Sequence, residues 1–192
     1  KGAVIVHERF ALAPWLCIVG GILGTALILF VYLTFIAGTL TGKLGRLRAI
    51  QRRYWLALAL VVVYCIPALS VLSSSNAKSP EVRKEFRRLH PILRLGVSTL
   101  ILFDRSLLIT DADRKPEDYQ KMGLPQKEHS LHFRQRNGYA HAIDIRTRNR
   151  PEWQNRLVAT YFRWMGFRTL RHIGTADHLH VSLFSHDRPG GI

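Results

Sequence analysis

Residues 130–144 read SLHFRQRNGYAHAID, and residues 177–180 read DHLH. The two stretches gather imidazoles and carboxylates in the C-terminal third of the chain. A catalytic zinc site typically takes three protein ligands from His, Asp or Glu and leaves one position open for water. His132, Asp144 and His180 fit that pattern, so the sequence predicts a zinc site built from these three residues.

A hairpin would bring the first two of these residues together. Asn137-Gly138 is a strong turn signal between two segments that are typical of strands. A three-residue loop ending at Gly138 pairs His132 with Ala142, which puts His132 and Asp144 on one face of the sheet. A two-residue loop would put them on opposite faces. His141 has the opposite parity to Asp144 and is therefore the weaker candidate ligand.

These residues also carry a family resemblance. Segment 109–119, ITDADRKPEDY, is followed by Ser130-x-His132, Gly138, Ala142-x-Asp144 and Asp177-x-x-His180. This order resembles the zinc D-alanyl-D-alanine carboxypeptidase family, which includes L-alanyl-D-glutamate endolysins and has a hedgehog-like peptidase fold. The family motif is usually Ser-x-His-x-x-Gly-x-Ala-x-Asp. His132 and Asp144 are twelve positions apart here, five more than in that motif, which leaves His132 and His141 as alternative first ligands.

The resemblance implies a role for each matching residue. His180 would be the last zinc ligand and Asp177 the general base. Arg114 would bind a carboxylate of the substrate, and Ser130 would belong to the same binding region. His178 shares strand parity with His180, so its side chain would face the metal region. It would either stabilise the oxyanion or have a structural role beside the metal ligands. The remaining histidines are expected to be structural, and these include His7, His90, His172 and His186.

The N-terminal part of the chain is mostly apolar and contains two long uncharged runs. Residues 10–42 form a run of 33 without a charge, and residues 54–77 form another run of 24. A bilayer-spanning helix needs about 20 apolar residues. We expect two transmembrane helices, at about residues 12–40 and 54–73, and hence a lipid bilayer as a partner. Gly20-x-x-x-Gly24 would let helices approach closely, either within this hairpin or in a homodimer.

The loop between the two spans sets the expected orientation. Residues 43–53 contain five Lys and Arg and no acid. Basic loops usually stay on the cytoplasmic side. The sequence therefore predicts a two-pass protein of the cytoplasmic membrane, with its C-terminal domain extracytoplasmic, on the periplasmic or cell-wall side.

The predicted organisation has three parts and an α+β fold class. A membrane anchor spans residues 1–75, a linker and helix span 76–95, and a zinc peptidase-like domain with a small antiparallel sheet spans 96–192. Segment 97–102 favours a strand or an extension of the preceding helix, and 106–110 a strand. A helix should begin near Pro151 and end at Gly166, with strands at 167–173 and 180–184.

Charge narrows the choice of partners. From residue 76 onward there are 21 Lys and Arg against 12 Asp and Glu, a surplus of nine. Such a domain prefers anionic partners. Peptidoglycan peptides fit because they carry carboxylates, whereas no nucleic-acid partner is expected because no nucleic-acid-binding motif is present. The expected function is a membrane-anchored zinc metallopeptidase that hydrolyses peptidoglycan stem peptides as a D,D-carboxypeptidase or an endopeptidase. The alternatives are an inactive peptidase-fold binding module on the same membrane anchor and, ranked below it, a basic nucleic-acid-binding domain.

Overall fold

The computed structural model describes residues 1–42, 47–70, 72–115, 117, 119, 123, 129–174 and 176–191. The fold is α+β: two long apolar helices are followed by a small antiparallel sheet of four strands. The helices are α1 (Gly2–Phe10), α2 (Pro14–Thr41), α3 (Leu47–Ser70), α4 (Pro80–Glu85), α5 (Pro91–Phe103) and α6 (Glu152–Met165). The strands are β1 (Ile109–Asp111), β2 (Ala142–Arg146), β3 (Arg168–His172) and β4 (His178–Ser182).

Helices α2 and α3 are long and apolar enough to cross a membrane. Their large side chains point outward along most of their length, as Ile28 at 73% and Leu40 at 81% exposure illustrate. The prediction of two candidate spans is confirmed. The second long helix begins at Leu47 and not near residue 54 as expected. Arg48, a residue of the predicted basic loop, therefore belongs to α3. The first part of the predicted basic loop, residues 43–46, lies outside the described residues.

The two glycines of the predicted helix-packing motif do not face α3. A Cβ atom built on Gly20 or Gly24 would meet nothing within 4 Å. Packing between α2 and α3 involves other residues, including Ala26, Val61 and Cys65. The interpretation that the motif packs within the hairpin is therefore wrong, and the possible homodimer through these glycines stays a prediction.

Helix α5 connects the two long helices to the sheet. Segment 97–102 belongs to this helix, so the strand alternative for it is wrong. Pro91 occupies the first turn, where a missing N–H costs nothing, and the His90 side chain accepts a hydrogen bond from the Ile92 N–H. Arg94 and Ser98 donate to backbone carbonyls near the end of α3. These bonds fix α5 against the end of the second long helix.

The sheet has the strand order β1-β2-β4-β3, and every neighbouring pair is antiparallel. Strand β2 is central and lies between β1 and β4. Asp144 on β2 is therefore directly opposite Asp111 on one side and His180 on the other. Cross-strand partners point to the same face of a sheet, so Asp144 and His180 face the same way.

The predicted hairpin is present only at its tip. Arg134 and Ala140 form a single antiparallel bridge in the expected register, but the segment before them is a series of turns and not a strand. The Ser130 hydroxyl accepts a hydrogen bond from the His132 N–H, which bends the chain there. The expected pairing of His132 with Ala142 does not form, since β1 occupies that edge of β2.

The helix predicted to start after Pro151 is α6, and Gly166 ends it with a left-handed φ of 98°. Val158 and Phe162 are buried in the core, whereas Trp153 and Leu157 are 61% and 59% exposed. The predicted apolar face is therefore only partly buried. The core itself also includes side chains from α1, α2 and α5, so the sheet domain and the apolar helices share it.

Candidate metal centre

Three buried side chains converge beside the central strand. Asp144 is on β2, His180 is on β4, and His132 is in the turn region that precedes β2. Their exposures are only 3%, 5% and 3%. The three residues form a group that could hold a metal ion, and they are the three predicted ligands.

The spacing of their polar atoms suits a small tetrahedral ion. His180 Nδ1 lies 2.9 Å from Asp144 Oδ1, and His132 Nε2 lies 3.2 Å from each of these two atoms. Tetrahedral zinc has bonds of about 2.0–2.1 Å to N and O ligands, which separates neighbouring ligand atoms by about 3.3–3.4 Å. The three atoms would have to move apart by about 0.5 Å or less to accept such an ion.

The hydrogen bonding of His132 also favours a cation. Its Nδ1–H donates to the Ala112 carbonyl at 3.0 Å, so in the neutral ring the lone pair is on Nε2. That lone pair faces the Asp144 carboxylate at 3.2 Å. The nearest donor to both acceptors is the His180 Nδ1–H, 2.9 Å from Asp144 Oδ1 and 3.2 Å from His132 Nε2. A divalent cation would replace that proton between them. A ring nitrogen fixed by a carbonyl on its far side is also the usual arrangement of a metal-binding histidine.

Asp144 is ionised despite its burial. Burial acts to raise its pKa, but the neighbouring imidazoles of His132 and His180 hold the pKa well below its ordinary value. Burial also lowers the pKa of His180, against the opposing effect of Asp144. A carboxylate beside a neutral imidazole is the protonation state that binds a divalent metal.

Arg114 anchors the site from the other side. Its Nη2 donates to Asp144 Oδ2 at 2.7 Å and its Nε donates to Asp111 Oδ2 at 2.6 Å. Burial acts to lower the pKa of Arg114, but the two carboxylates raise it, so the guanidinium is charged. Asp144 thus offers one oxygen to the histidines and keeps the other on Arg114.

Two hydroxyl groups extend this network. The Tyr119 hydroxyl lies 3.3 Å from Arg114 Nη1 and 2.9 Å from the Ser130 hydroxyl. Sequence reasoning singled out Ser130 but missed Tyr119 as a partner of Arg114. The place of Tyr119 within segment 109–119, which the family resemblance includes, was the signal that could have found it.

The last two predicted residues are at the start of β4. Nε2 of His178 is 3.8 Å from Asp144 Oδ2, so this partly exposed ring is at the rim of the metal centre. Asp177 is engaged elsewhere: both of its oxygens accept from Arg171 at 2.9 Å, and Thr147 donates to Oδ1. Burial acts to raise the pKa of Asp177, but the bonds from Arg171 and Thr147 lower it.

The alternative first ligand, His141, is not in this group. Its ring packs 4.8 Å from the ring of His90 and 5.5 Å from that of His7, in a separate cluster of buried histidines. The structure therefore selects His132 as the partner of Asp144 and His180. No family model, curated protein or solved structure matches the chain.

Proposed function

We propose that this chain is a membrane-anchored zinc peptidase that cleaves stem peptides of peptidoglycan. The observation that carries the proposal is the buried group of His132, Asp144 and His180, with its atoms almost at tetrahedral ligand spacing. The resemblance of the same residues to the zinc D-alanyl-D-alanine carboxypeptidase family supports it. The two long apolar helices supply the membrane anchor.

Zinc suits this donor set because two imidazoles and one carboxylate leave a fourth position open. A zinc ion held there would lower the pKa of a bound water and polarise the scissile carbonyl. The chain's own residues supply the rest. Asp144 and the two histidines would hold the ion. Arg114, itself bound to Asp111, fixes the Asp144 carboxylate, and His178 at the rim would contact the incoming peptide.

Proton transfer from the attacking water is assigned to Asp177 by the resemblance. Its lowered pKa keeps the carboxylate ionised at neutral pH, the state that a general base needs. His178 is the second candidate for this step. Its Nδ1–H is directed to the Ala176 carbonyl, so the lone pair of the neutral ring is on Nε2, the nitrogen that faces Asp144.

Asp177→Asn should therefore keep the metal and lower kcat by about a hundredfold or more, the scale of a general base. The measurement is stem-peptide hydrolysis and zinc content of the full chain in detergent micelles. His178→Gln is the matched comparison on the neighbouring residue. If His178→Gln lowers kcat far more than Asp177→Asn does, the proton transfer belongs to His178.

Substrate choice follows from charge. The surplus of nine positive charges from residue 76 onward favours an anionic peptide. Arg114 is the residue that the resemblance assigns to a substrate carboxylate, and a guanidinium binds a carboxylate through two parallel bonds that Lys cannot make. In the described structure this side chain holds Asp111 and Asp144, so it also positions a metal ligand.

Arg114→Lys is expected to lower kcat/KM by about 10–100-fold, the usual range for a partner of a metal ligand. The zinc content should stay near that of the parent, because Lys keeps a positive charge beside Asp144. Kinetics on stem peptides with a free and with an amidated terminal carboxylate give the readout. An equal loss on both peptides would show that Arg114 acts only through Asp144 and not on the substrate carboxylate.

The proposed location is the cytoplasmic membrane, with the sheet domain facing the cell wall. Two crossing helices return the chain to the side from which it started, and α1 does contact the sheet domain, where His7 Nε2 donates to the Phe184 carbonyl at 3.0 Å. Protease added to intact spheroplasts should digest the sheet domain. Protection of the domain in intact spheroplasts, with digestion only after lysis, would exclude a peptidoglycan substrate.

A binding module with this fold is the second candidate. The observation in its favour is that the charged groups of the site already pair with one another: Arg114 engages Asp144, and Arg171 engages Asp177. Incubation of the zinc-loaded chain with muropeptides separates the two functions. A peptidase releases shortened peptides, whereas a binding module retains intact ones.

A further inference from the structure

A second cluster of buried histidines lies apart from the candidate metal centre. It consists of His7 on α1, His90 at the start of α5 and His141 just before β2. Their exposures are 3%, 0% and 1%. One nitrogen from each ring can be chosen so that all three lie within 4.8 Å of one another.

The hydrogen bonds of two of these rings leave lone pairs for a metal. His7 donates its Nε2–H and His141 donates its Nδ1–H to the same carbonyl, that of Phe184, at 3.0 and 3.1 Å. In the neutral rings the lone pairs are then on His7 Nδ1 and His141 Nε2. A ring N–H directed to a backbone carbonyl is the usual support of a metal-binding histidine.

The cluster also contains unsatisfied buried atoms. Among the described residues, His7 Nδ1 and His90 Nε2 have no hydrogen-bond partner. A buried polar atom without a partner destabilises the folded state, because its bond to water is lost and not replaced. The three nitrogens lie within 4.8 Å of one another, and a bound zinc ion would set neighbouring ligand atoms about 3.3–3.4 Å apart.

The rings are neutral, which a metal requires. Burial lowers the pKa of His90 to about 2 and that of His141 to about 4, and the neighbouring rings act in the same direction. Burial lowers the pKa of His7 as well. The carboxylate of Asp187 is near enough to affect His141 and offsets part of the charge of a cation.

We propose that His7, His90 and His141 form a second metal site, which binds a divalent transition-metal ion of the zinc class and fastens α1 to the sheet domain. Three imidazoles without a thiolate suit zinc, copper or nickel more than magnesium or calcium. On binding, the metal takes His90 Nε2, His7 Nδ1 and His141 Nε2. His141 then releases its present bond to Asn137. Because His90 Nδ1 accepts from the Ile92 N–H at 3.3 Å, the neutral His90 ring carries its proton on Nε2; on metal binding this proton moves to Nδ1 and the bond from Ile92 is lost.

The role of this site is structural, because the three ligands come from distant parts of the chain. His7 precedes both long helices, whereas His90 and His141 follow them. An ion bound by all three would link the segment before α2 to the segments after α3, and so hold the sheet domain against α1. Such an ion stabilises the folded state, since the unfolded chain does not present the site.

The test uses the full chain in detergent micelles, stripped with a chelator and then dialysed against zinc. We expect about two zinc ions per chain in the parent, about one in His180→Ala, about one in His7→Gln and none in the double variant. Glu8→Gln, on an exposed neighbour in the same helix, is the control and should behave as the parent. Failure of His180→Ala to lose zinc would count against the peptidase centre and not against this second site.

A second measurement covers the case in which His7→Gln folds poorly. Zinc added to the stripped His180→Ala chain should raise its unfolding temperature and protect α1 from protease. Adding His141→Gln to that chain should abolish both effects. The proposal is overturned if His7→Gln and His141→Gln each hold as much zinc as the parent, or if zinc neither raises the unfolding temperature of the stripped His180→Ala chain nor protects α1.

Discussion

Asp144→Asn is expected to strip the metal from the peptidase centre and to abolish hydrolysis. The carboxylate is one of the three candidate ligands, and the Asp144 side chain is only 4% exposed. It is also the partner of Arg114, so its removal leaves a largely buried guanidinium with Asp111 alone. Breaking a buried ion pair by removing one partner typically costs about 3–5 kcal/mol. The loss of stability should appear as a lower midpoint of thermal unfolding in the metal-free chain.

Asp187→Asn is the matched control for this variant. It removes another aspartate of the same domain, which is bound to the backbone N–H and side chain of Arg136 near the surface. Asp187→Asn should keep the zinc of the peptidase centre and its activity. If Asp144→Asn binds zinc as tightly as the parent and remains active, the ligand set is wrong.

The second large effect is expected from the histidine ligands. His132→Ala and His180→Ala should each remove the zinc of this centre and reduce hydrolysis to background, since two remaining ligands bind zinc weakly. The exposed His129, close to the site in sequence, gives the control His129→Ala, which should be fully active.

His141→Ala separates the two metal clusters. It should retain hydrolysis in the presence of zinc while losing one bound ion, because His141 lies with His7 and His90. Loss of hydrolysis in His141→Ala together with full activity in His132→Ala would restore His141 as the first ligand.

The three candidate ligands of the metal centre could be predicted because their chemical types and order along the chain carry the signal. The means by which they meet could not be predicted in full. We expected a local hairpin to align His132 with Asp144, yet β1 occupies the edge where that hairpin would have paired. Pairing of β2 with β4 aligns Asp144 with His180 across 36 residues, and no local turn signal encodes so distant a contact.

Other differences have similar causes. Segment 97–102 is rich in apolar and β-branched residues, so periodicity alone leaves helix and strand open. The structure resolves it as helix, with Pro91 in the first turn and the His90 side chain as the cap. The cluster of His7, His90 and His141 has no sequence signature, because each residue is isolated in the chain and only the tertiary fold brings them together.

The most direct test of the peptidase proposal is hydrolysis of defined muropeptides by the full chain in detergent micelles, with zinc removed and then restored. The proposal predicts no product from the chelated chain, shortened stem peptides after zinc is restored, and no product from His180→Ala under either condition. Intact muropeptides after incubation with a fully zinc-loaded chain, or cleavage that survives chelation and His180→Ala, would contradict it.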